Sequence, residues 1–212
     1  MGRRTYLPAA GHDRGLALYD PVLKLLGADR ARRRLIEQAE LQRGHRVLEI
    51  GCGTGTLLVD AARVAPLALT GLDPDPNALE RARRKAGAAR LPLHLDRGFA
   101  DALPYRDASF DRVFSCFMFH HLEAVGEKRR TLQEVRRVLK PGGRFQFLDF
   151  VHPPGAHGSA LEWLHPGDDV RDHTEHRLLA LLREVGLRNP VCLRRGTMAF
   201  VLRLAYFQAA AA

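Results

Sequence analysis

The feature that most constrains this chain is a glycine-rich turn set between an apolar run and a helix-patterned segment. Residues 45–50 read HRVLEI, a short strand, and run directly into Gly51-Cys52-Gly53-Thr54-Gly55; residues 56–64 then have helical spacing up to the break at Pro66. Such a strand, turn and helix brings backbone amides and the positive end of a helix dipole to the carboxyl edge of a sheet. The spacing is G-x-G-x-G, with Thr56 where the third glycine of a dinucleotide fingerprint would fall, and no Gly-Lys-Ser/Thr follows as in a P-loop. Glu49 stands two residues ahead of Gly51, where a carboxylate repels a pyrophosphate and attracts an ammonium or a sulfonium. Asp73 ends a second apolar run roughly twenty residues on, the placement that suits two ribose hydroxyls. The ligand these residues call for is a nucleoside joined to a cationic amino acid. Taken alone, GCGTG is also open to a second reading, a tight corner with no ligand.

The alternation continues along the chain. A strand over 67–73 is followed by a helix from about Asn77 to Ala86, strands over 91–95 and 111–116, a helix over 127–139, a KPGG turn at 140–143 and a strand over 144–151. Strand and helix in this order require βαβ crossovers, hence a doubly wound α/β domain with a parallel sheet. Two helical segments between Gly15 and Leu41 precede it. After residue 151 the rhythm breaks into Pro-containing loops around LEWL, then resumes with a helix over 172–185 and apolar runs at 191–195 and 198–207. Gly196-Thr197 between those runs predicts a terminal antiparallel hairpin, and the Ala209–Ala212 tail is expected to fray. The 212 residues are enough for about one domain of roughly 150 residues with an extension. The expected division is therefore leading helices over 1–43, a ligand-binding domain over 44–208, and a substrate-cap insertion over 152–172.

Charge is a weaker guide. The excess of 33 Lys+Arg over 24 Asp+Glu gives +9, which would suit nucleic acid or an anionic substrate. Only four of the 33 are lysine in an Ala-rich chain, so an arginine-biased composition accounts for it equally well, with runs 30–34, 81–84 and 129–137 read as solvated helix faces. Cys52, Cys116 and Cys192 form no Cys-x-x-Cys, which points to neither a disulfide framework nor a cysteine zinc site. The N-terminus has no signal-type apolar stretch, and no apolar run approaches the roughly 18 residues of a membrane span. A soluble cytoplasmic protein is expected.

VLEIGCGTG (47–55), GLDPD (71–75), FADALPYRDASFDRVFSCFMFHHL (99–122) and LKPGGRFQFLDF (139–150) together resemble the successive motifs of class I S-adenosylmethionine-dependent methyltransferases. The resemblance is to the small-molecule branch that includes ubiquinone- and menaquinone-pathway C-methyltransferases, and it covers residues 14–207. It implies a mostly parallel seven-stranded, Rossmann-like sheet with a terminal antiparallel hairpin, S-adenosylmethionine as cofactor, S-adenosylhomocysteine as product and a small-molecule acceptor. Carried across, it implies that Glu49 and the backbone of Gly51, Cys52, Gly53 and Gly55 hold the methionine moiety, that Asp73 takes the ribose, and that Pro74 borders adenine. The family's Gly-Asp-Ala step here reads Gly98-Phe99-Ala100; Phe99 cannot accept the adenine hydrogen bond, so either its ring packs on adenine or Asp101 or a water substitutes. Cys116 would sit near the methionine end, and Tyr19 matches a tyrosine that closes over the cofactor in several relatives.

Methyl transfer from a sulfonium needs alignment, exclusion of water and, for a neutral acceptor, removal of a proton. No triad signature is expected. His121, with His120 behind it, is the candidate base at the carboxyl edge; the competing reading makes one a polar helix cap and leaves the other solvated. His152, His157, His165, His173 and His176 invite three readings: a metal site, a substrate-facing wall or a solvated loop. No metal is expected. A nucleic-acid methyltransferase and a non-catalytic S-adenosylmethionine-binding protein are the alternative functions. The first lacks the Asn/Asp-Pro-Pro-Tyr/Phe step after the fourth strand, which reads SCFMFHHL.

Overall fold

The computed structural model describes residues 16–122, 125–152, 173–199 and 202–212, with side chains from residue 20 onward. Two helices lead, α1 (Leu16–Leu25) and α2 (Ala28–Gln38). They are followed by β1 (Arg46–Ile50), α3 (Thr56–Ala61), β2 (Ala68–Asp73), α4 (Pro76–Ala88), β3 (Leu93–Arg97) and β4 (Phe110–Cys116). A 3-10 turn (Phe119–His121), α5 (Val125–Val138), β5 (Leu139–Phe150), α6 (Glu175–Glu184), β6 (Arg188–Met198) and β7 (Leu202–Ala210) complete the order.

The seven strands form one sheet in the order β3-β2-β1-β4-β5-β7-β6. The first five strands are mutually parallel, and β7 runs antiparallel to both β5 and β6. The doubly wound sheet and its terminal hairpin are thus as the sequence pattern requires. Parallel strands buried on both faces need apolar residues at successive positions, and alternate side chains then serve opposite faces. Val47, Phe114, Leu148 and Tyr206 pack on one face against Leu35 and Ile36 of α2 and Leu57 and Leu58 of α3. Their neighbours Leu48, Val113, Phe147 and Phe207 pack on the other against Leu132 and Val135 of α5 and Leu178 and Leu182 of α6.

Several details differ from the sequence reading. Gly196 and Thr197 lie inside β6, paired with Leu204 and Arg203 of β7, and do not form the hairpin connection; residues 140–143, expected as a turn, belong to β5. Strand β3 is displaced towards Arg97, because its register against Leu69–Asp73 of β2 sets its bounds. Ala209–Ala211 are held, not frayed: Ala209 and Ala210 lie in β7, and the Ala211 amide donates to the Gly143 carbonyl with its methyl buried. Small side chains fit where β7 crosses the glycines that open β5, and composition alone gave no sign of that. The α6 helix starts at Glu175, capped by the Thr174 hydroxyl, rather than at Asp172. The expected leading segment 1–15 and all of the expected cap 152–172 beyond His152 lie outside the described residues.

Candidate functional site

Strands β1, β2, β4 and β5 present their carboxyl ends on one edge, and a cavity of about 350 Å³ opens there. The glycine turn forms its floor. Gly51, Gly53 and Gly55 have φ of 65°, 51° and 74°, a left-handed backbone that glycine adopts without a steric penalty. At Gly51 a side chain is excluded outright, since a Cβ would collide with Cβ and Cγ of Met118. Gly55 serves a different purpose. It caps α3, and its own Cβ would stand 3.0 Å from Ala82 of α4, so it supports the turn from behind and does not line the cavity.

Two carboxylates flank this floor. Asp73 at the end of β2 accepts the Gly53 amide at 2.8 Å and the Asp75 amide at 2.9 Å. Burial raises its pKa to about 6 against the pull of those two amides. Glu49, at the end of β1, is 3% exposed, and its Oε2 has no hydrogen-bond partner among the described residues. Burial pushes its carboxyl well above the usual range, and the Arg32 guanidinium opposes the shift. A carboxylate so placed is ready for a cation. Arg32 lines the same cavity, 5% exposed and held by Asp29. The arginine run 30–34 suggests a solvated face, but Ala28, Ala31, Leu35 and Ile36 define the buried face of α2 and Arg32 falls on that face. The i, i+3, i+4 spacing of those apolar residues was the available signal.

Asp20 was also missed. Its carboxylate accepts from Thr54 Oγ1 at 2.8 Å, Thr56 Oγ1 at 3.1 Å and Lys85 Nζ at 2.8 Å, joining α1 to the glycine turn and to α4. Burial would raise its pKa, but Lys85 and the two hydroxyls hold it below the ordinary value. Tyr19 lies one residue earlier in α1, with its side chain outside the description. Pro74, Phe99 and Ala100 line the wall beyond Asp73. Asp101 does not; it pairs with Arg130 at 3.2 Å. The buried Cys52 and the partly buried Cys116 complete the wall as thiols whose pKa values desolvation drives well up, which argues against a nucleophilic role.

The opposite end is built after β4. Phe117 adopts φ 57°, an uncommon conformation for a bulky residue, while its amide donates to the Leu148 carbonyl at 2.9 Å. The kink lays Met118 over Gly51 and starts the 3-10 turn that separates the two histidines. His121 lines the cavity. His120 turns inward, 4% exposed, with Nδ1 2.6 Å from Asp149 Oδ1. Burial would raise the Asp149 pKa, but the adjoining His120 imidazole and the Phe150 amide hold it down at about 2. His173 is fully buried 3.9 Å from Asp149, and burial lowers its pKa to about 3.

His152 and His173 are therefore buried rather than solvated, whereas His176 is exposed on α6 and does not converge with His173. His157 and His165 lie outside the described residues. Among the described residues no group of three or more His, Cys, Asp or Glu side chains is placed to hold a metal ion. Nor, among them, is any helix long and apolar enough to cross a membrane.

Residues 47–143 match the family model described as a methyltransferase domain. The chain is 40% identical over 135 residues to the demethylmenaquinone methyltransferase of Deinococcus radiodurans, covering 63% of this chain and 54% of that protein. It is 35% identical over 127 residues to the 27-O-demethylrifamycin SV methyltransferase of Amycolatopsis mediterranei, covering 59% and 46%. The match thus spans about half the length of these curated relatives. Among solved structures, phosphoethanolamine N-methyltransferase 2 of Haemonchus contortus, in complex with S-adenosyl-L-methionine, superposes with a TM-score of 0.81 at 16% identity, over 99% of this chain and 60% of that one. At that identity the likeness is one of fold.

Proposed function

We propose that the protein is an S-adenosylmethionine-dependent methyltransferase acting on a small-molecule acceptor, a reading supported by the match of residues 47–143 to the methyltransferase-domain family model. The observation that supports this most is the buried Glu49 carboxylate, with one oxygen unpartnered among the described residues, beside a glycine floor where Gly51 leaves no room for a Cβ. That donor set fits the cofactor. Glu49 meets the amino group, Arg32 the carboxylate of the methionine tail, and the backbone at Gly51, Cys52 and Gly53 lies along it. Asp73, already oriented by two amides, uses its remaining lone pairs for the ribose hydroxyls. Pro74, Phe99 and Ala100 border adenine, the Phe99 ring packing where the family's aspartate would hydrogen-bond. Tyr19 closes over from α1, and Cys116 walls the methionine end.

When bound, S-adenosylmethionine supplies an electrophilic methyl group and leaves as S-adenosylhomocysteine. The protein aligns the acceptor, excludes water and takes up a proton where the acceptor is neutral. His121, on the cavity wall, is the residue placed for that proton, with His120 behind it. Helices α1 and α2 form part of the substrate roof. The three cysteines are unpaired, consistent with a cytoplasmic setting.

Titration calorimetry with S-adenosylhomocysteine tests the reading. Glu49→Ala and Asp73→Ala each remove a charge-assisted hydrogen bond worth about 1.5–3 kcal/mol, so each should weaken binding about tenfold to hundredfold. Unchanged affinity in both variants would contradict the site. Incubation with methyl-labelled S-adenosylmethionine and a panel of small acceptors then reads turnover.

A further inference from the structure

We propose that Glu127, in the first turn of α5, reads the purine of the cofactor: its carboxylate accepts the exocyclic 6-amino group of adenine and so selects adenine over purines that lack or replace that group. This rests on the methyltransferase reading above. The wall beyond Asp73 gives a base much to pack on and little to bond. Leu72, Pro74, Phe99 and Ala100 supply apolar surface. Two backbone acceptors there are already engaged: the Pro74 carbonyl accepts the Arg97 guanidinium at 3.1 Å, and the Phe99 carbonyl accepts the Ala102 amide at 3.2 Å. Asp101, the carboxylate next along the chain, is turned to Arg130 and does not line the cavity. An amino group pressed against such a wall gives up water, and binding suffers unless an acceptor takes its place.

Helix α5 supplies that acceptor. Residues 127, 130, 134 and 137 recur at the intervals of three and four that keep side chains on one helix face. Three of them grip the 101–107 loop in register. Arg130 Nε donates to Asp101 Oδ2 at 3.2 Å, Glu134 Oε2 accepts the Leu103 amide at 2.7 Å, and Arg137 donates to the Tyr105 carbonyl and to the Asp107 carboxylate, each at 2.7 Å. Helix and loop thus run side by side in the same direction. One step back along both brings Glu127 level with Phe99 and Ala100, and all three line the cavity. The loop also leaves β3 beside the ribose-binding carboxylate, since the Gly98 amide donates to the Asp73 carbonyl at 3.2 Å. A base on a ribose held by Asp73 therefore lies along Phe99 and Ala100 and meets α5 at Glu127. An acidic residue in a first turn suits the helix dipole, but the dipole does not require it to face a cavity. A carboxylate only accepts, whereas a 6-amino group donates, a 6-oxo group accepts and a 6-hydrogen does neither. Glu127 thus sorts three purines by the sign of one contact.

The test is titration calorimetry on wild type, Glu127→Ala and Glu127→Gln. The ligands are S-adenosylhomocysteine and two analogues altered only in the purine, one with hydrogen and one with oxygen at position 6. Wild type should bind the 6-amino ligand about tenfold to hundredfold more tightly than the 6-hydrogen one, as a charge-assisted hydrogen bond implies, and the 6-oxo ligand most weakly. Glu127→Ala should lose about tenfold or more for the 6-amino ligand and no more than about twofold for the 6-hydrogen one, so that the preference collapses. Glu127→Gln presents either an oxygen or an N–H. It should keep part of the preference for amino over hydrogen and bind the 6-oxo ligand more tightly than wild type does, a gain that a merely structural role would not produce. If wild type binds none of the three, the methyltransferase reading falls and the inference with it. If wild type binds S-adenosylhomocysteine but treats the 6-amino and 6-hydrogen ligands alike, or if Glu127→Ala weakens both equally, the cofactor reading stands and the role of Glu127 is overturned.

Discussion

The two ends of the cavity are built on opposite principles. At the glycine-turn end, shape is imposed by backbone: three left-handed glycines, two amides on Asp73, and a close approach that leaves no room for a Cβ at Gly51. At the histidine end, shape is imposed by a buried charge: Asp149 holds His120, and His120 backs His121. A site made of backbone has its shape set by local sequence. One made of a buried, hydrogen-bonded carboxylate depends on residues distant in the chain and on their protonation.

The largest way to break this contrast is Asp149→Ala. Removing one member of a buried pair should cost about 3–5 kcal/mol in urea unfolding, while a loss under about 1 kcal/mol would mean the charge does not organise that end. Next, Gly51→Ala should reduce S-adenosylhomocysteine affinity roughly a hundredfold through the clash with Met118 and the left-handed backbone. If Met118→Ala restores most of that affinity in the double variant, the side-chain clash dominates over backbone strain.

The pH behaviour should also separate the two ends. His173 is depressed to about 3 in the fold. Its unfolded form therefore binds the proton first, and stability present above the unfolded value is lost as pH falls through the window from 6.5 towards 3. At pH 5 that loss is of order 2 kcal/mol, and His173→Leu should remove it in thermal melts compared at pH 5 and 7. Asp73 shifts the other way, up to about 6. Its carboxyl is protonated below that pH, so S-adenosylhomocysteine affinity should fall about tenfold between pH 7 and pH 5, and Asp73→Asn should flatten the curve. The smallest effect belongs to Asp20→Asn. The half-exposed link to Lys85 is worth about 0.5–1 kcal/mol and should weaken further with added salt, read as a small drop in melting temperature.

The same contrast explains what could be read from residues alone. The glycine end was legible because Glu49, Gly51, Gly53 and Asp73 act through chain-local geometry and fixed spacing from two strands. His121 was legible as a residue at the carboxyl edge after β4. What pairs with its neighbour was not: Asp149 lies 29 residues beyond His120, and only the parallel register of β4 on β5 brings them together. Arg32 was hidden by its company, since an arginine-rich run gives no hint that one member faces inward. Asp20 was hidden because the partners it joins, Thr54 and Thr56 on the glycine turn and Lys85 on α4, come from two other stretches of chain.

One feature of the sheet also governs how the chain assembles. β6 touches the sheet only through β7, which lies between it and β5, so β6 emerges from synthesis with nowhere to dock until β7 follows. Its exposed Val191 and Leu193, and the edge they sit on, stay unpaired over that interval. Completion of the sheet is thus a late step of long sequence separation, the kind that proceeds slowly and is open to aggregation. Substitutions in Leu202–Ala210 should therefore appear first as lower soluble yield rather than as altered ligand binding.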